Sequence, residues 1–431
     1  MPINMEALET YLRRRVSFPA LIDRPPRPHL NNVIVIPCHN EARVTDTLSS
    51  ISSCSLPRNP VEVIIVINAS EKDPPEVVVS NRHTLQEIEN FIKEEHRDKI
   101  RFFPVFISNL PAKKAGVGLA RKIGMDEAVR RFVLTKNTDG IITSLDADTL
   151  VDPNYLTTLE DFFMCKPEIT GVSIYFEHPV EGTAFTPEVY EAIIQYELHL
   201  RYFVNALRFI GYPFAFHTIG SAFAVRADAY VKQGGMNIRQ GGEDFYFLRK
   251  IIKQGNFADL TETRVIPSPR PGTKVPFGTG PEIQKFLAGK KRDFLTYDPE
   301  AFRELVRFFS LIPLLYTQNI NPEVIFYRFP LSVQGFLGHV QFIRKIHEIL
   351  ENVSAEKTYL KRFYFWFDTF RVIKYLNYSH AYFFSKKPVT IAVREILSDA
   401  GISSLPRASR GLLKILRKLD RNPGKKKLSI Y

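Results

Sequence analysis

Between residues 33 and 145, short apolar runs of strand length alternate with longer stretches of helical period, and this alternation leaves few folds open. Residues 33–36, 61–67, 100–106 and 141–145 are rich in Val, Ile and Phe and read as strands. Residues 41–51, 82–97 and 116–132 lie between them and read as helices. Repeated strand–helix alternation predicts an α/β fold, a mostly parallel sheet with flanking helices. In such sheets ligands bind beyond the carboxyl ends of the strands, so the polar residues just after each strand are the ones to inspect: 37–41, 68–73, 113–121 and 146–148. Further along, 186–210 reads as a long helix, 221–226 as a strand and 242–254 as a helix.

A Pro- and Gly-rich segment at 267–281 then breaks the pattern. We therefore expect a leader at 1–32, an α/β domain at 33–280 and a mainly helical, basic region at 281–431. Charge supports that division: the net charge is +12, but residues 281–431 hold 26 Lys or Arg against 13 Asp or Glu, which leaves the first 280 near neutral. The three cysteines, Cys38, Cys54 and Cys165, match neither a disulfide framework nor a zinc spacing, which favours a reducing compartment. No apolar stretch follows the first residues and none reaches the roughly 20 residues that span a bilayer, so neither a signal peptide nor a membrane span is expected. The expected location is cytoplasmic.

The chemistry concentrates in three places. Asp146 and Asp148 follow a strand directly, so both carboxylates lie at the ligand edge, where a hard divalent cation would bridge them to a diphosphate; a strand-end turn accounts for them equally well in isolation. Glu243 and Asp244 follow Gly241 and Gly242 and open a helix. Acids there stabilise a helix start, and one can also serve as a general base for a hydroxyl. Lys113, Lys114, Gly116, Gly118 and Arg121 combine cations with flexible backbone before a helix, which suits a phosphate, with a solvated basic loop as the competing reading. The glycine spacing fails the dinucleotide-binding pattern, because Arg121 stands three residues after Gly118, and no Walker-type Gly-Lys-Ser/Thr occurs.

Residues 33 to about 280 resemble the family-2 glycosyltransferases of the GT-A fold. The resemblance rests on four motifs in order: Val-Ile-Val-Ile-Pro-Cys-His-Asn-Glu from Val33, Gly-Val-Gly-Leu-Ala-Arg from Gly116, Leu-Asp-Ala-Asp from Leu145, and Gly-Gly-Met followed by Gly-Gly-Glu-Asp, ending at Asp244. It implies an inverting transfer of one sugar from a nucleotide-diphosphate donor, a UDP-sugar favoured, to a saccharide or lipid-linked saccharide acceptor, as in polysaccharide or glycoconjugate synthesis. By the same resemblance Pro37, His39, Glu41 and Asn68 bind the nucleoside, with Lys114, Gly116 and Arg121 on the phosphates. Asp146 and Asp148 hold sugar and metal, Mn2+ or Mg2+. Asp244 is the catalytic base with Glu243 in support, and the stretch 270–280, with Lys274, closes over the diphosphate.

There are departures. Where the family often has paired aspartates after the second strand, this chain has Ile67 and Asn68; an asparagine oxygen can still accept from a uracil imide. Lys122 stands where the family often has asparagine, and we assign it no role. His217 would line an acceptor pocket or ligate metal, but a satisfied structural histidine is the simpler reading. Outside the resemblance, Leu412, Ile415, Leu416 and Leu419 have helical spacing beside Arg410, Lys414, Arg417 and Lys418, followed by Lys425 to Lys427. That pattern suits either an interfacial helix on an anionic membrane, peripheral on its inner face, or a helix packed on the body. The competing functions are a non-catalytic nucleotide-sugar or membrane-binding protein on the same fold, against which both acidic pairs argue, and nucleic-acid binding, for which no motif is present.

Overall fold

The computed structural model describes residues 5–272, 278–289 and 293–423. The chain forms two compact units: Met1–Tyr190 with Thr218–Gln284, and Glu191–His217 with Lys285–Tyr431. The segment Glu191–His217, which lies within the expected 33–280 region, thus clusters with the C-terminal part of the chain.

The first unit is built on one eight-stranded sheet, numbered in chain order β1 Asn32–Cys38, β2 Val61–Ser70, β3 Ile100–Leu110, β4 Ile141–Ser144, β5 Thr149–Val151, β6 Gly171–Phe176, β7 Phe223–Arg226 and β8 Phe257–Pro267. Their order in space is β3-β2-β1-β4-β7-β6-β8-β5. The pairs β1–β2, β2–β3, β1–β4 and β6–β8 are parallel; β7 runs antiparallel between β4 and β6, and β5 antiparallel on β8. Val33 to Ile36 and Val63 to Ile67 are wholly buried, which is why β1 and β2 are continuously apolar instead of alternating. Each such side chain contributes about 1.5–3 kcal/mol on burial. Helices α1 Met5–Arg15, α2 Val44–Ser52, α3 Pro75–Glu94, α4 Val117–Leu134, α5 Tyr155–Cys165, α6 Pro187–Phe209, α7 Ala227–Lys232 and α8 Glu243–Lys253 follow in chain order, α6 belonging from Glu191 onward to the second unit. The expected α/β class with a helical C-terminal region is therefore the one observed.

The leader is part of this unit. Helix α1 packs on α4 and α7. Asp126, buried on α4, accepts from the hydroxyls of Tyr11 and Tyr230, each at 2.7 Å, and from Lys122 Nζ at 2.8 Å. Lys122 also donates to the Tyr11 oxygen at 2.9 Å, which gives that lysine a structural place. After α1 the chain runs along α4, where Arg130 donates to the Phe18 carbonyl, Leu21 N to Glu127, and Arg131 to the Arg24 carbonyl. Arg131 is fully buried and forms a two-pronged pair with buried Glu62 of β2, one prong 2.7 Å.

In the second unit, helices Pro299–Leu311, Leu331–His339, Phe342–Leu350 and Glu356–Trp366 supply an aromatic core. Phe308 lies with ring centroids 4.9–6.1 Å from those of Phe329, Phe342, Phe363 and Phe367. The C-terminal helix Ser409–Asp420 buries Leu412, Leu413 and Leu416 inside this unit, packing on Val389–Asp399. Three of its apolar residues are thus covered, with Ile415 and Leu419 half-buried beside them, which favours a helix packed on the body; Lys414 and Lys418 are its exposed cations. Buried Asp420 accepts from Arg201, from Arg208 at 2.7 Å and from Asn205 at 2.8 Å, with His217 Nε2 3.0 Å away. Burial alone would raise the Asp420 pKa, but His217 and the two arginines hold it far below the usual carboxylate range. His217 is thereby engaged with Asp420. Residues 425–427 lie outside the described residues. Among the described residues no helix is long and apolar enough to cross a membrane.

Arg131→Met strands the Glu62 carboxylate without its partner in the interior and should cost about 3–5 kcal/mol. Replacing both residues by Met should recover most of that loss. Thermal melts of the single and double variants test this, and a double variant no better than the single would contradict it.

Candidate functional site

At the carboxyl ends of β1, β2 and β4 the first unit has a cleft of about 430 Å³. Strand β1 carries Pro37 near its end, and the turn after it carries His39 and Glu41; Asn40 there adopts φ of 49°, and its backbone amide donates to Asn81 Oδ1 at 2.7 Å. Strand β2 delivers Asn68 and Ser70, with Asn81 Nδ2 donating to the Asn68 carbonyl at 3.0 Å. Asp73 then folds back over the strand end. Its Oδ2 accepts from Ser70 N at 2.8 Å and lies 3.0 Å from His39 Nε2. Burial pushes the Asp73 pKa up, but the Ser70 amide and His39 outweigh it and hold this carboxyl below its ordinary range.

Strand β4 ends at Ser144, and the next turn brings Asp146, Ala147 and Asp148 to the cleft. Thr47 donates to the Ala147 carbonyl at 2.9 Å and Ser268 N to the Asp148 carbonyl at 3.2 Å, which fixes the turn from two sides. Burial foremost, then the Asp146 charge, push Asp148 up to about 6 against the pull of Arg270. Arg270 bonds both oxygens of Glu41, one at 2.8 Å, and its Nη2 is 3.4 Å from Asp148 Oδ2. Opposite, residues 115–117 bring the N-terminus of α4 to the cleft, an arrangement that favours an anion.

Asp244 and Glu243 open α8 behind Gly242, whose φ of 69° is a left-handed conformation that glycine adopts without strain. Glu243 is buried and bonded by Arg121 Nη1, while Arg121 Nη2 bonds Asp146 Oδ1. Burial, and next the Glu243 charge, push Asp244 up to about 6, with Arg121 pulling it down.

Of the residues singled out in the sequence, Pro37, His39, Glu41, Asn68, Gly116, Asp146 and Asp148 share the cleft. Arg121 is buried between acids instead of facing the cleft, because two carboxylates occupy its fork. Glu41 lines the cleft and is bonded there by Arg270. Lys114 is exposed and does not line the cleft, nor do Glu243 and Asp244. Lys274 lies outside the described residues. The His39–Asp73 pair and Gln240, also at the cleft, were not read from sequence; Asp73 stands 34 residues from His39. No group of three or more His, Cys, Asp or Glu that could hold a metal occurs among the described residues.

Residues 141–385 match the family described as Glycosyl transferase family group 2, and residues 33–232 match Glycosyl transferase family 2. Among curated proteins none matches the chain significantly. Among solved structures, S. aureus TarS (residues 1–349, in complex with UDP-GlcNAc) aligns at 13% identity and TM-score 0.39, over 71% of this chain and 78% of that one. The Pyrobaculum calidifontis mannosyltransferase PcManGT, in complex with GDP-Man and Mn2+, aligns at 13% identity and TM-score 0.36, over 96% of this chain and 93% of that one.

An aspartate ordinarily titrates near 3.8, and burial with the Asp146 charge pushes Asp148 up to about 6 in the folded protein. Between those values the folded state holds more protons, so stability falls as pH rises through the window. Asp148→Asn cannot titrate. In buffer containing EDTA its Tm should exceed that of the wild type by a margin that opens between about pH 4 and about pH 6 and stays flat above. Scanning calorimetry across that range measures it, and a margin independent of pH would refute the assignment.

Proposed function

The chain belongs to glycosyl transferase family group 2, and from that premise we propose that it moves a sugar from a nucleoside-diphosphate donor to an acceptor hydroxyl, with inversion at the anomeric carbon. The observation that carries this reading is one cleft that joins the Asp146–Asp148 turn to the N-terminus of α4, with Glu243, the neighbour of Asp244, tied to Asp146 through Arg121.

In this reading the base occupies the side of the cleft made by Asn68, His39 and Asp73. The diphosphate lies toward the start of α4, whose amide dipoles and neighbouring Lys113 and Lys114 favour negative charge. Asp148, supported by Asp146, would hold a divalent cation, Mn2+ or Mg2+. The residues fit such an ion: Asp148 is pushed up by burial and by Asp146, a repulsion that a cation relieves. Asp146 and Asp148 would supply the protein's share of the oxygen ligands that such a hard cation prefers. When bound, the ion neutralises charge on the departing diphosphate. Asp244 stands on the acceptor side and takes the proton of the attacking hydroxyl. A carboxyl pushed up to about 6 is a better base than an ordinary aspartate while still ionised at neutral pH.

Calorimetry with a panel of UDP- and GDP-sugars should find binding that collapses in EDTA and in Asp148→Ala; undiminished affinity under both conditions would remove the metal from the scheme. Asp244→Asn should bind donor normally and lose roughly a hundredfold to ten-thousandfold in turnover. NMR of the product from an α-linked donor should give a β-linkage, and a retained linkage would overturn the inverting assignment.

A further inference from the structure

Three pieces of the chain converge on one guanidinium. Arg121 sits in the second turn of α4, Asp146 follows β4, and Glu243 opens α8; the bonded partners are 25 and 122 residues away in sequence. Arg121 and Glu243 are 3% and 2% exposed, whereas the Asp146 side chain is 38% exposed and lines the cleft. The bond to Arg121 uses Asp146 Oδ1 and leaves Oδ2 outside it. One end of this bridge is therefore interior and the other belongs to the donor side of the site.

We propose that Arg121 is a positioning residue that sets the donor-side carboxylate Asp146 and the Glu243–Asp244 pair relative to each other through one shared guanidinium. The proposal rests on the reading of the cleft as a nucleotide-sugar site.

The surroundings are shaped for this link. A Cβ at Gly220 would come within 2.5 Å of Arg121 Nη2 and 2.9 Å of Nη1, so glycine leaves the room that the fork occupies. A Cβ at Gly118, one turn before Arg121, would meet the Arg239 carbonyl oxygen at 2.4 Å and the Asn237 carbonyl oxygen at 2.9 Å. The first turn of α4 is thus packed on the backbone that leads into Glu243, and the guanidinium completes a contact already made by main chain. Only an arginine presents two divergent donors in a fixed plane; a lysine is a point charge that pairs well with one carboxylate at a time. A link made for stability alone would need Glu243, buried next to Asp244, but not the half-exposed Asp146. Displacing a reacting group by about 1 Å can cost on the order of a hundredfold in rate, so a shared anchor for the two sides has kinetic consequences.

The experiment measures melting temperature, donor affinity by calorimetry, and steady-state release of nucleoside diphosphate from the UDP- or GDP-sugar that the wild type turns over, with Mn2+ present. The variants are Arg121→Lys, Glu243→Gln and their combination. Arg121→Lys should remain folded at the assay temperature, lose tenfold or more in kcat, and change donor KM by no more than about threefold, with Asp148 still present to hold the donor. Glu243→Gln should show a similar loss, and the double variant should be no worse than either single one, since both break the same link. Wild-type kcat in Arg121→Lys, losses that multiply in the double variant, or a kcat loss that merely tracks the folded fraction would each overturn the proposal. Should Arg121→Lys fail to fold, Gly220→Ala, which crowds the guanidinium from its other side, takes its place with the same expectation; failure of both to fold makes Arg121 a stability element and ends the proposal. A wild-type protein that binds and turns over none of these donors overturns the functional reading, and the inference with it, and that outcome is visible before any variant is compared.

Discussion

A guanidinium carried into a protein interior has to bring its counter-charge along, because an unpaired buried ion costs several kcal/mol. This chain meets that constraint at Arg131, Arg121 and Arg201, each of them at most 3% exposed. Arg131 ties α4 to β2 through Glu62, and Arg121 ties α4 to the turn after β4 and to the start of α8. In the second unit Arg201 lies between Glu197 and Asp420. Apolar strands such as β1 and β2 would adhere in many registers, since one Val or Ile substitutes for another. A two-pronged ion pair tolerates one placement, so the charges specify what the apolar surface only drives.

The same charges explain what could be read in advance. The strands β1, β2 and β4 and the helix α4 were legible because an apolar run or a helical period is local information. Strand β8 was missed: Phe257–Pro267 carries Asp, Thr, Glu and Arg, and its burial is irregular, so no run stands out. Helix α1 buries only Leu8 and Tyr11, and the Asp126 that receives the Tyr11 hydroxyl is 115 residues away. The acids Asp146 and Asp148 are singled out in the sequence by their position after a strand, and Asp244 by its place at a helix start; the structure puts the first two on the cleft. Arg121 reads from sequence as a phosphate ligand because a cation beside glycines looks alike whether it faces a ligand or another side chain, and Glu41, which does line the cleft, is also bonded by an arginine that no local pattern announces. Only the partner distinguishes the two, and Arg270 stands 229 residues from Glu41.

Two carboxylates, Asp148 on the cleft and Asp244 at the start of α8, are also places where stability is given up. Asp148 and Asp244 are both held near 6, each by burial first and by a neighbouring carboxylate second. A chain selected for stability alone would dilute such clusters, as functional sites generally do not. Here the strain is electrostatic and local, and the buried strands beside it supply the compensating free energy.

The Asp420 cluster has a consequence for the order in which the molecule can be made. His217 and Arg201 are 203 and 219 residues upstream of the carboxylate that receives them. At ribosomal rates of about 5–20 residues per second, roughly 10–40 s pass between the emergence of these donors and that of their acceptor. During that interval Arg201 and Arg208 have only part of their counter-charge, so the segment Glu191–His217 cannot settle into a dry interior. The second unit therefore cannot be completed before residue 420 has emerged: its early helix waits for that carboxylate, and a nascent chain stalled before that point holds an unfinished unit for chaperones to shield.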